Sequence, residues 1–181
     1  MKTTAMPKMI SKPSVHSLGK ACRLAGSIVA ILLLSGFEQP AVRVDAGAVG
    51  PRSLQPQTKT AVVRDYLQAW KSLSEALQEN RPDLLDSSYL GVAKEKLAET
   101  VQEQQDLGLQ THYRDLSHDI KIGFYSPEGL SVQLLDTVEY EMQIVDHNQI
   151  LATQHVRARY VAVLTPTEVR WKVRVFQAQP E

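Results

Sequence analysis

The chain has 181 residues, 20 Lys and Arg against 20 Asp and Glu, and 43% hydrophobic residues. That length suits one domain with a tail and excludes a large multidomain enzyme. With 9 Gly, 9 Pro and 22% charged residues the chain is not collagen-like, low-complexity or wholly disordered, and the balanced charge gives no sign of nucleic-acid binding.

The first 23 residues carry Lys2, Lys8, Lys12, Lys20 and Arg23 with no acid, and an apolar run follows from Leu24 to Phe37. A basic segment before about 7–15 apolar residues is the order of a secretory signal, and the run is shorter than the roughly 20 residues of a membrane span. Val44-Asp45-Ala46 offers a cleavage point after Ala46, with a cut nearer Gly36 as the alternative. An uncleaved signal anchor is the competing reading, and Met6 or Met9 are alternative starts. Residues 1–46 are therefore read as a signal peptide or anchor. Cys22, the only cysteine, precedes the apolar run, which argues against a lipoprotein and, once the signal is removed, against disulfides, Cys-bound zinc and thiol chemistry. Removal of 1–46 takes six basic residues and two acids, leaving 14 basic against 18 acidic residues, so a neutral total conceals a domain of about −4. Residues 47–57, rich in Pro, Gln, Gly and Ser without periodicity, read as a flexible linker.

From Thr58 or Thr60, Val63, Tyr66, Leu67, Trp70, Leu73 and Leu77 recur at helical spacing, and Arg81-Pro82 ends the helix. Asp83 to Asp86 suggests a short helical turn. A second long helix runs from about Gly91 to Leu107, with Ala93, Leu97, Val101 and Leu107 on one face and Gly108 as its left-handed stop. The period then becomes 2: Ile120, Ile122 and Phe124, a turn at Ser126-Pro127-Glu128-Gly129, then Val132, Leu134, Val138, Tyr140, Met142 and Ile144 inward. Asp146 to Gln149 turns into a strand with Val156, Ala158, Tyr160, Ala162 and Leu164 inward, and Val169, Trp171, Val173 and Val175 close the sheet. Helices followed by an antiparallel meander predict an α+β fold, the helices packed on the concave face of a curved antiparallel sheet.

In this order of elements, across 58–178, the chain resembles the nuclear-transport-factor-2-like (NTF2-like) superfamily. Val63 to Trp70, Tyr89-Leu90-Gly91, Tyr160 to Leu164 and Val169-Arg170-Trp171-Lys172-Val173 carry the likeness. More narrowly it resembles the IMS-type domain of plastid and cyanobacterial division proteins, through Leu107-Gly108-Leu109, His112-Tyr113, Leu116, Ile120 to Ile122, Val138-Glu139-Tyr140 and Trp171-Lys172-Val173. The superfamily resemblance implies a cone-shaped cleft, used by some members for dehydratase or isomerase chemistry and by others only for binding or dimerisation. The IMS resemblance implies protein contact on an envelope-exposed face. Fold does not fix function, and a division role is not carried over.

Asp136 is the one charged residue among the inward positions of its strand. On the concave face it would serve as a weak candidate general base, with Tyr140 or Tyr160 donating to an oxyanion. The adjacent Leu134-Leu135 favours instead a slip in alternation that turns Asp136 outward. Tyr66, Trp70, Asp136, Tyr140 and Tyr160 are the candidate pocket residues, although Tyr66, Trp70, Tyr160 and Trp171 read first as core. His112, His118, His147 and His155 lack ligand spacing and read as surface residues, so no metal and no cofactor is expected. No Gly-x-Ser-x-Gly elbow or Gly-rich phosphate loop occurs.

Arg157, Arg159, Arg170, Lys172 and Arg174 form an expected outer basic stripe, with Glu139 opposite Arg157 and Glu141 opposite His155 if the hairpin loop has three residues. The expectation is a secreted or envelope-associated binding domain whose partner is another protein or a second copy. The alternative is small-ligand binding, or cofactor-free lyase or isomerase chemistry, in the cleft.

Overall fold

The computed structural model describes residues 39–179. The signal or anchor segment lies outside the described residues except for 39–46. Among the described residues no helix is long and apolar enough to cross a membrane.

Helix α1 (Pro56–Glu79) starts earlier than Thr58, because Pro56 occupies its first turn, where a fixed φ helps and a missing N–H costs nothing. It ends at Asn80, in the left-handed region at φ 53°, just before Arg81-Pro82. A 3-10 helix (Pro82–Ser87) and α2 (Gly91–Asp106) follow. The expected α2 face is buried at Ala93 and Val101, but Leu107 lies past the helix end and is 72% exposed.

Among the described residues, six strands form one mixed, open, curved sheet. β3 (Leu109–Tyr125), β4 (Val132–Asp146), β5 (Gln149–Pro166) and β6 (Trp171–Gln179) make the antiparallel meander. Two short strands, β1 (Ala41–Asp45) and β2 (Gly50–Pro51), add to β3 in parallel. They correct two expectations. The sheet is not purely antiparallel, and the stretch 47–57 is not a free linker: Gly50 and Pro51 pair with Phe124 and Tyr125, and the Arg52 N–H donates to the Tyr125 carbonyl at 3.2 Å. The 17-residue β3 offers a long edge to which the added segment pairs through backbone groups, and Val44, Ala46 and Val49 pack against the core. The ordered unit thus includes Ala41 as well as the expected 58–178.

The core joins Val62, Tyr66, Ala69, Trp70, Leu73, Ala76 and Leu77 of α1 to the concave face of the sheet at Ile120, Ile122, Leu134, Val138, Ala162, Leu164 and Val173. Each buried Val, Leu or Ile among them contributes about 1.5–3 kcal/mol by leaving water. Buried Asp65 fastens α1 to the sheet by accepting the Trp171 N–H at 2.8 Å.

Four register shifts reset which residues face inward. Leu116 is the extra residue between Asp115 and Ser117, and Gly123 between Ile122 and Phe124. The second shift turns Phe124 outward (39% exposed) and buries Tyr125, the reverse of the expected order. Arg174 is the extra residue in β6, so Val175 lies opposite Val163 and Phe176, opposite Ala162, packs inward instead. Val169, expected inward, sits in the turn and is 80% exposed. In β5, Leu151 is the extra residue next to a two-residue turn at His147-Asn148, both at positive φ. That shift restores the expected register of Glu139 with Arg157 and Glu141 with His155, although the loop has two residues rather than three.

Candidate functional site

β4 runs from Val132 to Ile144 without a slip at Leu134-Leu135, so period 2 carries Asp136 to the concave face. Its side chain is wholly buried. This overturns the outward placement the adjacent leucines favoured.

One carboxylate oxygen, Oδ2, receives two hydrogen bonds. The Tyr66 hydroxyl, one turn before Trp70 on α1, donates at 3.0 Å, and His118 Nδ1 lies at 2.7 Å. His118 is the member of this cluster that the sequence reading missed. Its lack of ligand spacing makes it read as a surface residue, but it shares the parity of Ile120 and Ile122 and faces inward with them, and the extra residue Leu116 brings Asp115 to the same face. The Asp115 carboxylate stands 3.8 Å from His118 Nε2, beyond a direct hydrogen bond, and acts on the ring through its charge.

The result is a line of four groups, Asp115, His118, Asp136 and Tyr66, running from the sheet edge into the core. Burial works against a charge on His118, but the carboxylates of Asp115 and Asp136 on its two sides outweigh it and raise the imidazole from 6.5 to about 9. The ring is therefore a cation at neutral pH. Burial, then the Asp136 charge, holds the Tyr66 phenol well above its usual range, so it stays protonated as a donor.

The space in front of this line is filled by aromatic side chains. Trp70 meets Tyr160 and Phe176 edge to face, each at 5.2 Å, and His118 at 5.5 Å. Tyr160 stacks on Phe176 at 4.8 Å, and Tyr113 abuts Tyr140 at 5.0 Å. Of the candidate pocket residues, Tyr66, Trp70, Asp136 and Tyr140 are buried and Tyr160 is half-buried, the last two with hydroxyls 3.4 Å apart. The five come together as packed core.

A cleft of about 490 Å³ lies beside this core, between α1, β1 and β3. Arg64, Leu67, Gln68 and Lys71 line its helix side, and Asp115 and His118 belong to its sheet side. Asp115 is the one member of the line that meets solvent, at 21% side-chain exposure. Asp136, the candidate base, does not line this cleft. Among the described residues no group of three metal-ligating side chains is assembled.

The five basic residues divide. Arg157 is held by Glu139 at 3.6 Å, and Arg159, opposite Thr137 and Gln179, has no ion pair among the described residues. Lys172 reaches away from them to donate to the Asp86 carbonyl at 2.8 Å, and Arg170 closes the turn with Thr167. Arg174 is exposed at the bulge. Lys172, opposite Thr165, sits six residues along β5 from Arg159, about 20 Å at ~3.3 Å per residue. Glu141, though opposite His155, pairs with Arg114 at 3.2 Å.

No protein-family model and no curated protein matches this sequence. Solved structures do match. The intermembrane-space region of the chloroplast protein ARC6 is 18% identical, with a TM-score of 0.57 over 72% of this chain and 100% of that one. The hexachlorocyclohexane dehydrochlorinase LinA-type3 of Novosphingobium barchaimii LL02 is 12% identical (TM-score 0.49, 69% and 90% covered). A candidate dehydratase of the NTF2-like family from Streptomyces avermitilis is 13% identical (TM-score 0.47, 68% and 98% covered). The fold is NTF2-like and resembles the ARC6 intermembrane-space region.

Proposed function

We propose that this chain is an exported or envelope-associated domain that binds another protein, or a second copy of itself, and does not transform a small molecule. The observation that supports this best is the state of Asp136. A general base must reach the proton it removes, and here the carboxylate is wholly buried, with Tyr66 and His118 on one oxygen and Trp70 packed against the same ring. Placement at an envelope is supported by the basic-then-apolar amino terminus and by the likeness in fold to an intermembrane-space region.

The contact face we assign is the outer side of the sheet around Arg157, Arg159 and Arg174. Arg170 and Lys172 drop out of it, since their contacts lie in the turn and at the 3-10 helix. The test replaces Arg157, Arg159 and Arg174 together by Glu. Light scattering reads self-association, and pull-down from an envelope extract reads a second protein. Loss of an association shown by the wild type is expected, and identical behaviour of the two proteins sinks the reading.

A second reading, small-ligand binding, is favoured by the cleft of about 490 Å³ that includes Asp115 and His118. It predicts fragments that raise the melting temperature of the wild type but not of Leu67→Trp, which would fill the cleft.

A further inference from the structure

β5 is 18 residues long, but β6 pairs only with Arg159 to Pro166. On the side away from β4, the ten residues from Gln149 to Ala158 run alongside no strand among the described residues. That is about 33 Å of edge at ~3.3 Å per residue, with every second residue directing its N–H and C=O outward.

Exposed edges are normally blunted by charge, proline, a bulge or a covering segment. Here Gln149 to Val156 contains no Lys, Arg, Asp, Glu or Pro, and only the shift at Leu151 interrupts it, next to the turn. Ile150 and Leu151 are each 55% exposed.

The two faces beside this edge say what would pair with it. Val156 and Ala158 lie opposite Tyr140 and Val138 and continue the apolar concave side. His155, Arg157 and Arg159 point to the outer side, and among the described residues only Arg157 of these has an ion pair. A second copy of the same edge is a poor complement, because no Asp or Glu occurs between Gln149 and Pro166.

We infer that the free half of β5 is a strand-addition site for an extended segment of a partner protein, with apolar residues alternating with acidic ones. The incoming strand lies end to end with β6, starting where Gln179 stands opposite Arg159. Its backbone completes the ladder, its apolar residues cover Val156 and Ala158, and its acids face His155, Arg157 and Arg159. This deepens the interaction reading and rests on it.

The test uses the full chain and a fluorescent dodecapeptide alternating Val and Glu, with binding read by anisotropy. The controls are a Val/Lys peptide and two Val/Glu peptides N-methylated on alternate backbone nitrogens, one in each phase. An edge strand uses only every second N–H, so one methylation phase should abolish binding and the other should be tolerated. The Val/Lys peptide should not bind, and Arg157→Glu with Arg159→Glu should weaken the Val/Glu peptide about ten-fold or more. Absence of Val/Glu binding, equal tolerance of both phases, or a homodimer that Thr153→Pro dissolves would each overturn the assignment. A native association lost in the triple Arg→Glu variant but kept by a folded Thr153→Pro variant would refute the docking mode and leave the interaction reading standing. Peptide binding beside a native association indifferent to the triple variant would do the reverse.

Discussion

Deprotonating His118 should cost the fold stability, in a definite direction and pH window. The ring is raised from 6.5 to about 9 because the carboxylates of Asp115 and Asp136 outweigh its burial. A group whose pKa is higher folded than unfolded binds protons more tightly in the native state. Its contribution is therefore complete below about 6.5 and is lost as pH rises through about 9. At 1.36 kcal/mol for each tenfold change, the interval corresponds to about 3 kcal/mol, a large share of the 5–15 kcal/mol typical of a domain. Urea unfolding followed by circular dichroism should show the midpoint falling by about 1–2 M across this window. His118→Gln should be less stable than wild type at the acid end, with the gap narrowing at the alkaline end. A midpoint that holds steady across the window, or one that falls equally in His118→Gln, would refute the argument.

Three further outcomes follow from the packing. Trp70→Ala removes the ring that contacts Tyr160, Phe176 and His118, and should cost about 3–5 kcal/mol and lower the melting temperature by roughly 10 °C. Gly129→Ala puts a Cβ at φ +78°, 2.6 Å from the Arg52 guanidinium and 3.0 Å from the Tyr125 hydroxyl, and should cost at least about 1–2 kcal/mol in the same melt. If a signal is removed on export, amino-terminal sequencing should find the cut before Ala41, because a cut after Ala46 would strip β1 from Ser117 to Lys121; a purified chain beginning at Gly47 should melt lower than one that keeps β1.

Helix placement was legible because it rests on strong local signals: the spacing of Tyr66, Trp70, Leu73 and Leu77, the Arg81-Pro82 stop, and Gly108 at φ +71°. The facing of Asp136 was misread: simple alternation carried it inward, and the Leu134-Leu135 pair, weighed above that alternation, marks no slip in β4. What the sequence concealed were the points where alternation breaks. Gly123 is the exception, for an isolated glycine inside a strand pattern signals a bulge, and it would have moved Phe124 out and Tyr125 in. Leu116, Leu151 and Arg174 carry no such mark, because a bulge depends on how two strands accommodate twist. Phe176 was misplaced for that reason, whereas His118 shares the parity of Ile120 and Ile122, so its inward side was legible and only its lack of ligand spacing argued for the surface. The β1 strand escaped notice for another: its Val42-Arg43-Val44-Asp45 alternation is only one short strand long, four of its five residues are exposed, and it falls in the stretch read as a cleavage region.

The buried line of Tyr66, His118 and Asp136 also offers a way to separate structure from chemistry. Removing one member, as in Asp136→Leu, strands the His118 cation without its 2.7 Å partner and should cost about 3–5 kcal/mol, the usual penalty for half of a buried ion pair. Replacing all three by apolar groups of similar shape, Tyr66→Phe with His118→Leu and Asp136→Leu, removes both the charges and their need for partners. Such replacements are often neutral or stabilising, so the triple variant should regain most of the loss, a coupling that a mutant cycle reads directly. These side chains lie on the concave face, whereas Arg157 and Arg159 lie on the outer one, so the triple variant should associate like the wild type. A triple variant that melts with the wild type but no longer associates would mean that the concave site, and not the outer sheet, carries the function.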